Sequence, residues 1–562
     1  MDITRQNFVE LLPEITDAIR ECDFVGIDTE LSGLLRERSS NRFDLPSERY
    51  AKVVESSKGY FIMQFGLSCF TRLKGADLRY SNRTYNFYIF PQAQECYGDM
   101  NRTFSLEVHA IQFLTEHGFD FNRLFKHGVS YLTFQEKKVL TAEIKREKKN
   151  LSRNEPVSPN NLPSFVPRGM RDSCSTWLKQ VTTFIEGQRK RFIANYRAGD
   201  QSPAAPLTNE LEIKDCSTIH KRNILKKLLE TSQMSENLDI RMKLDPSRNE
   251  TILAVSFIDK AAKEDKQKNA LTSAIGFFEV LEQVIVNKKP IVGHNLFLDL
   301  IQIMNQFIEP LSEDYSSFKE TIHSLFPHIY DTKYVAHAIL DPDTLTRNQS
   351  KLEDLYAQLR DLRSFPRIEI KHLGEFVDEN QAPHQAGYDA YMSGYCFIAL
   401  CESHLRETKG KEWKNSIKVD ESLAKNEVIM DEFANKVHLS YSYDFKCFDL
   451  GEDEIEPERD HVFYVVHPDT WILDDLFQLF QPYGGVEASK LNRNSALCAL
   501  RNPKNKSLVL KNLKGSNYTI YTYNTYVQKY RNTRSDKRKT ASPLVSNDED
   551  FQTPDVEFGD VA

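Results

Sequence analysis

An apolar run near the start of the chain ends in two acids. Residues 24–30 read FVGIDTE, and the aromatic and β-branched residues that begin this run predict a buried strand. Alternate side chains of a strand share one face, so Asp28 and Glu30 point the same way, with Cα atoms about 6.5 to 7 Å apart. Two carboxylates placed in this way can bind one cation, although a polar strand end that faces solvent has the same pattern.

Two further acids occur where the chain enters later helices. In PIVGHNLFLDL the strand ends at Gly293, Asn295 is a candidate N-cap, and Asp299 lies in the first turns of the next helix. In APHQAGYDAYMSGYCF a helix that begins near Pro383 carries Asp389 among small and aromatic residues suited to close packing. Asp299 is predicted to point back toward the end of the sheet, but it would also fit a simple interaction with the helix dipole.

A histidine precedes the last of these acids. His384 lies five residues before Asp389, which is about 140° around an ideal helix, so we predict that it occupies the loop that enters the helix. A loop histidine beside a metal cluster can accept a proton from water, because its unperturbed pKa lies near 6.5. A surface histidine at a helix end is the alternative.

Four converging carboxylates would repel one another strongly, and two divalent ions would remove that repulsion. Oxygen ligands favour Mg²⁺, or alternatively Mn²⁺, over zinc. Two such ions roughly 3.5 to 4 Å apart stabilise the attacking and leaving oxygens in phosphodiester hydrolysis. The pattern therefore predicts a two-metal site formed by Asp28, Glu30, Asp299 and Asp389.

A chain of 562 residues is long enough for several domains. The runs FVGIDTE, FIMQFGLSCF and YNFYIF predict an antiparallel meander that opens an α/β domain. A later stretch has the order βαββαβ that is typical of an RNA-recognition motif (RRM). The predicted segments are 1–140 and 272–440 for the two halves of the α/β domain, 141–170 for an exposed linker, 171–262 for a small inserted α+β domain, 455–530 for the RRM-like domain and 531–562 for a disordered tail.

Composition limits the class of protein. The formal net charge of −8 argues against a protein coated in basic charge for wrapping nucleic acid. The nine cysteines are scattered and never form Cys-x-x-Cys, which favours a reducing compartment and no structural zinc. No signal-peptide pattern and no apolar stretch of about 18 residues occurs, so we expect a cytoplasmic or also nuclear protein without a membrane segment.

The acidic motifs, together with His-x₄-Asp, resemble those of the DEDD exonuclease superfamily. The histidine marks the DEDDh subclass, and Gln385 stands where the tyrosine subclass has its base. The strings FVGIDTELSG, FDLPSERY, MQFGLS, YNFYIFP, FDFNRLFKHGVSYL, VGHNLFLDL, FPHIYDTK and HQAGYDAYMSG resemble the family of poly(A)-specific ribonuclease and its PARN-like relatives. IHSLFPHIYDTK and FDLPSERY look nearer to the branch that trims Piwi-interacting RNA (piRNA) precursors than to the deadenylase branch.

This resemblance implies an α/β fold with an RNase H-like DEDD nuclease domain, an inserted small α+β nucleic-acid-binding domain and a C-terminal RRM-like domain. It implies a Mg²⁺-dependent 3′→5′ exoribonuclease that releases 5′-mononucleotides and trims small-RNA precursors, with general poly(A) deadenylation as the alternative. The implied metal ligands are Asp28, Glu30, Asp299 and Asp389, and the implied general base is His384. A catalytically silent RNA-binding adaptor is a further alternative, but it would be expected to lack one of these acids.

The same resemblance implies binding partners. Trp471 in HPDTWILDDLFQLF matches a tryptophan that stacks on the 7-methylguanosine cap, although it could equally be a packing residue. The strand SALCAL lacks the aromatic residues with which RRM sheets usually stack bases. Expected partners are single-stranded RNA 3′ ends, Piwi-type protein–RNA complexes and a second copy of the chain. Members of the trimming branch often end in a membrane-anchoring helix, and we expect none here, because no stretch of the sequence approaches about 18 apolar residues.

Overall fold

The computed structural model describes most of the chain. The described residues are 1–34, 40–74, 78–91, 102–153, 157–197, 210–213, 218–232, 234–245, 250–340, 351–362, 364–374, 384–409 and 422–531. They form two compact units. Unit 1 contains the described chain up to Thr133 and from Phe277 onward, and unit 2 contains that of Phe134–Gly276.

The elements are numbered along the chain. The strands are β1 (Asp2–Ile3), β2 (Phe24–Leu31), β3 (Ile62–Arg72), β4 (Arg79–Tyr88), β5 (Leu211–Ile213), β6 (Leu238–Asp245), β7 (Glu250–Phe257), β8 (Ile291–Gly293), β9 (Ile329–Asp331), β10 (Glu369–His372), β11 (Lys436–His438), β12 (Cys447–Asp449), β13 (Val462–Val466), β14 (Val486–Asn492), β15 (Ser495–Leu500) and β16 (Thr519–Thr522). The α-helices are α1 (Phe8–Glu21), α2 (Pro46–Ser57), α3 (Val108–Glu116), α4 (Phe121–His127), α5 (Phe134–Arg153), α6 (Arg171–Arg197), α7 (Ile219–Glu230), α8 (Lys260–Ile275), α9 (Phe278–Val286), α10 (Phe297–Ile303), α11 (Tyr315–Leu325), α12 (Thr332–Ile339), α13 (Leu352–Asp361), α14 (Ala386–Lys409), α15 (Glu427–Phe433), α16 (Leu473–Phe480), α17 (Lys506–Asn512) and α18 (Tyr523–Tyr526).

The large sheet of unit 1 has the strand order β1-β4-β3-β2-β8-β9-β11-β12, and β10 also pairs with β4. Strands β2, β3 and β4 form the predicted antiparallel meander. Strands β8 and β9 continue from β2 in parallel. Since parallel strands end at the same edge of a sheet, the carboxyl ends of β2, β8 and β9 lie side by side, which is where α/β sheets bind ligands.

Unit 2 is an α+β structure whose small sheet has the order β5-β7-β6. The alternating segments LDIRMKL and ETILAVSFID form the predicted hairpin β6-β7. Trp177, Val181 and Ile185 of α6 are buried in its core. The exposed linker predicted for residues 141–170 is wrong as far as residue 153, because its first residues belong to the helix α5. Its many Lys, Glu and Arg residues are polar, but they are also good helix formers, as are its leucines. The boundaries of the predicted segments remain predictions.

Residues 462–522 have the predicted order β13-α16-β14-β15-α17-β16, with the sheet order β14-β15-β13-β16. One face of this sheet packs on α16 and α17 through a core that includes Phe463, Leu476, Phe480 and Val509. This is the βαββαβ arrangement of an RRM-like domain. The predicted tail lies, apart from Arg531, outside the described residues, as does Pro383.

The other face of the RRM-like sheet packs on the segment that follows strand β2 of the large sheet. Phe43, which follows β2, is only 3% exposed and lies in one cluster with Val462, Tyr464 and Leu497. Asn41 donates a hydrogen bond from its side chain to the Lys490 carbonyl, at 2.9 Å. An RRM usually stacks bases on this face of its sheet. Here intramolecular packing covers part of the face, and the strand SALCAL also lacks the aromatic residues needed for stacking.

None of the described helices has the length and apolarity needed to span a membrane.

Candidate active site

Helix α14 lies unusually close to strand β2. A Cβ atom added to Gly26 would lie 2.2 Å from the Ala390 carbonyl oxygen, and one added to Gly66 of β3 would lie 1.8 Å from that of Ala386. Only glycine allows this approach of helix backbone to sheet. On β2, Gly26 shares its face with Asp28 and Glu30, because alternate residues of a strand point the same way. The helix therefore lies over the face that carries both acids.

Two sheet side chains hold the start of α14. Gln64 of β3 accepts a hydrogen bond from the Ala386 amide at 3.0 Å, and Asn86 of β4 accepts one from the Gly387 amide at 3.1 Å. Both side chains are buried. They satisfy two of the amides that every helix leaves free at its first turn. This fixes the first turn of α14, which contains Asp389, relative to the sheet.

Three of the predicted acids meet where α14 crosses β2. Asp28, Glu30 and Asp389 each offer one carboxylate oxygen, and these oxygens lie within 4.8 Å of one another. Burial, together with the repulsion between the neighbouring acids, raises the pKa of all three carboxyl groups well above the usual range. Asp389 Oδ1 is buried and has no hydrogen-bond partner among the described residues. A divalent cation would both partner this oxygen and remove the repulsion.

The fourth predicted acid lies next to this group without being part of the set of three oxygens. Asp299 is in the first turn of α10, and its carboxylate accepts a hydrogen bond from the Thr29 hydroxyl of β2. Burial raises the pKa of Asp299 to about 7, against the opposing effect of the Thr29 hydrogen bond. The charge of Asp299 in turn raises the pKa of Asp28 and Glu30. All four acids therefore share one electrostatic environment.

The turn before α10 differs from the prediction. Asn295 is not the N-cap, because Leu296 takes that position and Asn295 adopts a left-handed φ of 60°. The amides of Asn295 and Leu296 donate instead to the buried carboxylate of Asp331, at 2.9 and 3.1 Å. Asp331 ends the neighbouring strand β9 and also accepts the amides of Lys333 and His438. It is a structural residue that the sequence motif HIYDT contained but that sequence analysis did not single out.

His384 lies just outside α14, on the loop, as predicted. Its backbone has a left-handed φ of 65° and its side chain is 17% exposed. The imidazole packs edge-on against Phe113 and His117, with ring centroids 4.8 and 4.2 Å away. Burial, with the additional effect of His117 and Lys351, lowers the pKa of His384 to about 4. The ring is therefore neutral at neutral pH and has a free lone pair.

Glu353 is an acid of this region that sequence analysis missed. It lies in the first turn of α13, and its Oε1 is 3.5 Å from His384 Nε2. Its charge raises the pKa of Asp389, which places it near the carboxylate group as well. Nothing in the local sequence KLEDLY distinguishes it from an ordinary helix-start acid. Only the fold brings it to the site.

Trp471 lies two residues before α16. Its indole packs against the core of the RRM-like domain and stacks on the His467 ring, with centroids 5.7 Å apart and planes 9° from parallel. Tyr518 is 5.8 Å from it, and the Lys490 ammonium donates to the Trp471 carbonyl. Trp471 therefore has a packing role, and its indole lies next to two other aromatic rings.

The large sheet has both parallel and antiparallel strands, and four acids and a neutral histidine lie near the ends of its central strands. This arrangement is typical of a metal-dependent nuclease. Residues 3–397 match the family described as CAF1 family ribonuclease, and residues 451–529 match the family described as RNA binding domain. The chain belongs to the CAF1 family of ribonucleases.

Individual relatives agree with this assignment. The poly(A)-specific ribonuclease PARN of Homo sapiens is 30% identical over 559 residues, which cover 96% of this chain and 82% of that protein. PARN of Xenopus laevis is 29% identical over 557 residues, which cover 96% and 83%. The pre-piRNA 3′-exonuclease trimmer of Bombyx mori is 28% identical over 540 residues, which cover 94% of each chain.

The chain is therefore a 3′→5′ exoribonuclease with an RNA-binding domain, and it depends on divalent metal ions. The predicted family, the RNase H-like fold with a C-terminal RRM-like domain, and the class of enzyme are confirmed.

Proposed function

We propose that the enzyme holds two Mg²⁺ ions with Asp28, Glu30, Asp299 and Asp389 and uses His384 as general base. Its substrate is the 3′ end of single-stranded RNA, from which it releases 5′-mononucleotides. The observation that carries this proposal is that Asp28, Glu30 and Asp389 each place one carboxylate oxygen within 4.8 Å of the other two. In addition, Asp389 Oδ1 is buried and has no hydrogen-bond partner among the described residues. The donor set consists of oxygens alone, which suits Mg²⁺ and Mn²⁺.

Each residue has a distinct task in this proposal. When bound, the ions stabilise the attacking and leaving oxygens of the phosphodiester. Thr29 orients the Asp299 carboxylate through its hydroxyl group. His384 accepts the proton of the attacking water, for which its neutral ring is ready at neutral pH. The close packing of α14 on β2 keeps Asp389 facing Asp28.

The proposed natural substrates are small-RNA precursors, as in the branch that trims piRNA precursors. The match to the Bombyx mori trimmer, which covers 94% of both chains, supports this choice. General poly(A) deadenylation is the second candidate, because the PARN relatives are as similar in sequence. The two are separated by comparing the release of AMP from an A-tailed RNA with the shortening of a Piwi-bound precursor.

The remaining proposals concern binding and location. We infer that Piwi-type protein–RNA complexes present the RNA, that two copies of the chain associate, and that the enzyme works in the cytoplasm and also in the nucleus. The cap or a base stacks on Trp471 in this proposal, since its indole already lies among aromatic rings. Size measurement of the purified protein by light scattering tests the association.

The decisive experiment uses RNA labelled at its 5′ end, with and without Mg²⁺ and with a 3′-phosphate-blocked control. The wild type is expected to shorten the RNA stepwise from its 3′ end, and Asp28→Ala is expected to abolish shortening while RNA binding persists. Asp17→Asn is the matched control, because Asp17 is an exposed acid paired with Arg20 on the surface. RNA binding by the wild type without any shortening would instead support the adaptor alternative, and full activity of Asp28→Ala would refute the metal assignment.

A further inference from the structure

His384 is enclosed by side chains from two helices besides its own loop. Phe113 and His117 belong to α3 and its C-terminal end, and their rings contact the imidazole edge-on. From the start of α13, Glu353 brings its Oε1 to within 3.5 Å of the imidazole Nε2. The edge contacts and this carboxylate limit the directions in which the ring can turn.

The charges around the ring oppose one another. Burial, with the additional effect of His117 and Lys351, disfavours a positive charge on His384, whereas the carboxylate of Glu353 beside its Nε2 favours it. Burial, with the added effect of Asp354, raises the pKa of Glu353 above its usual range, whereas Lys351 and His117 oppose this rise. Its side chain is 43% exposed, so it retains contact with solvent and can carry its negative charge. The charge of Glu353 also raises the pKa of Asp389.

A general base becomes a cation when it works. As the oxygen of the attacking water bonds to phosphorus, its proton moves to an imidazole nitrogen, the bond to the 3′ oxygen of the preceding nucleotide breaks, and that oxygen is protonated from solvent. The imidazolium formed in this step stands in a site that otherwise disfavours it. A carboxylate at the side of the ring stabilises the imidazolium and maintains its orientation, as the aspartate does in serine hydrolases.

We propose that Glu353 is a positioning residue for His384, orienting its ring and stabilising its protonated form during hydrolysis. The proposal rests on the role of His384 as general base in the proposed function. The alternative role for Glu353 is that of a further metal ligand, because its charge acts on Asp389. It is not in the group of three oxygens that could hold an ion, which favours the positioning role.

The test variant is Glu353→Gln, which preserves the shape of the side chain and removes its charge. We expect kcat to fall about tenfold at neutral pH, with KM and the Mg²⁺ concentration for half-maximal rate unchanged. The acidic limb of the kcat profile should move to lower pH by about one unit, because losing the carboxylate makes His384 a weaker base. Glu353→Asp should restore part of the rate. Asp354→Asn, which changes the neighbouring exposed acid, is the matched control and should behave as the wild type.

A double-mutant cycle isolates the coupling between the two residues. In a His384→Ala background, Glu353→Gln should have no further effect on kcat. A tenfold loss in that background, a higher Mg²⁺ requirement, or a wild-type kcat with an unchanged pH profile would each overturn the positioning role. Thermal unfolding of each variant checks that folding is intact. Different results would refute the proposed function itself, namely no nucleotide release by the wild type with Mg²⁺, or a wild-type rate for His384→Ala alone.

Discussion

Gly26→Ala is predicted to separate the carboxylates without removing any of them. The new Cβ would lie 2.2 Å from the Ala390 carbonyl oxygen and 3.1 Å from its carbon. Ordinary carbon–oxygen contacts are about 3.3 Å or longer, so α14 must move away from β2 by about 1 Å. The atom in the way is helix backbone, which cannot rotate aside as a side chain can. Asp389, the residue before Ala390, moves with it.

This displacement should affect activity more than stability. A shift of about 1 Å in a reacting group costs on the order of 100-fold in rate. Overpacking of a buried contact costs roughly 1 to 3 kcal/mol in the free energy of unfolding, which leaves the protein folded. The assay measures the initial rate of nucleotide release over a range of Mg²⁺ concentrations, and urea unfolding gives the stability. We expect a lower rate and a higher Mg²⁺ concentration for half-maximal rate.

A matched glycine separates this effect from the general consequence of adding a methyl group. Gly187 lies inside α6, and a Cβ added there meets no atom within 4 Å. Gly187→Ala should therefore keep the wild-type rate and stabilise the helix by roughly 0.5 to 1 kcal/mol. If Gly26→Ala has a wild-type rate and Mg²⁺ dependence, the close packing of α14 is not what positions Asp389.

Three further predictions follow from other parts of the structure. In EDTA, the stability of the folded protein should fall as pH rises from about 4 to about 7, since over this range the unfolded state has released the Asp299 proton that the folded state, with its pKa raised to about 7, still holds. Asp299→Asn should flatten this dependence in unfolding measurements between about pH 5 and 7. Phe43→Ala should lower the free energy of unfolding by about 3 to 5 kcal/mol and expose one face of the RRM-like sheet. Limited proteolysis within residues 462–526 should then be faster, and an unchanged rate of cleavage would contradict the packing described for this face. Trp471→Ala should weaken binding of a cap analogue by on the order of tenfold, measured by fluorescence titration, and leave trimming of uncapped RNA intact; equal affinity would assign the ring to packing alone.

Several features followed from local sequence. Strands β2, β3 and β4, the hairpin β6-β7 and the βαββαβ order were predictable because the period of apolar residues is a local property. The position of His384 outside the helix followed from its spacing to Asp389. The helix α5 was missed because its polar composition resembles that of a connector, while its residues are individually good helix formers.

Local sequence was enough to predict the four acids and the histidine, together with the strand or helix end near which each of them lies. The meeting of one carboxylate oxygen each from Asp28, Glu30 and Asp389 within 4.8 Å depends instead on long-range packing, since two glycines allow a helix to approach the sheet. The tertiary structure also decided the roles of Asp331 at the turn before α10 and of Glu353 beside His384. Contacts between residues far apart in the chain depend on how strands are ordered and how backbones pack, and neither leaves a periodic signal in the residues concerned.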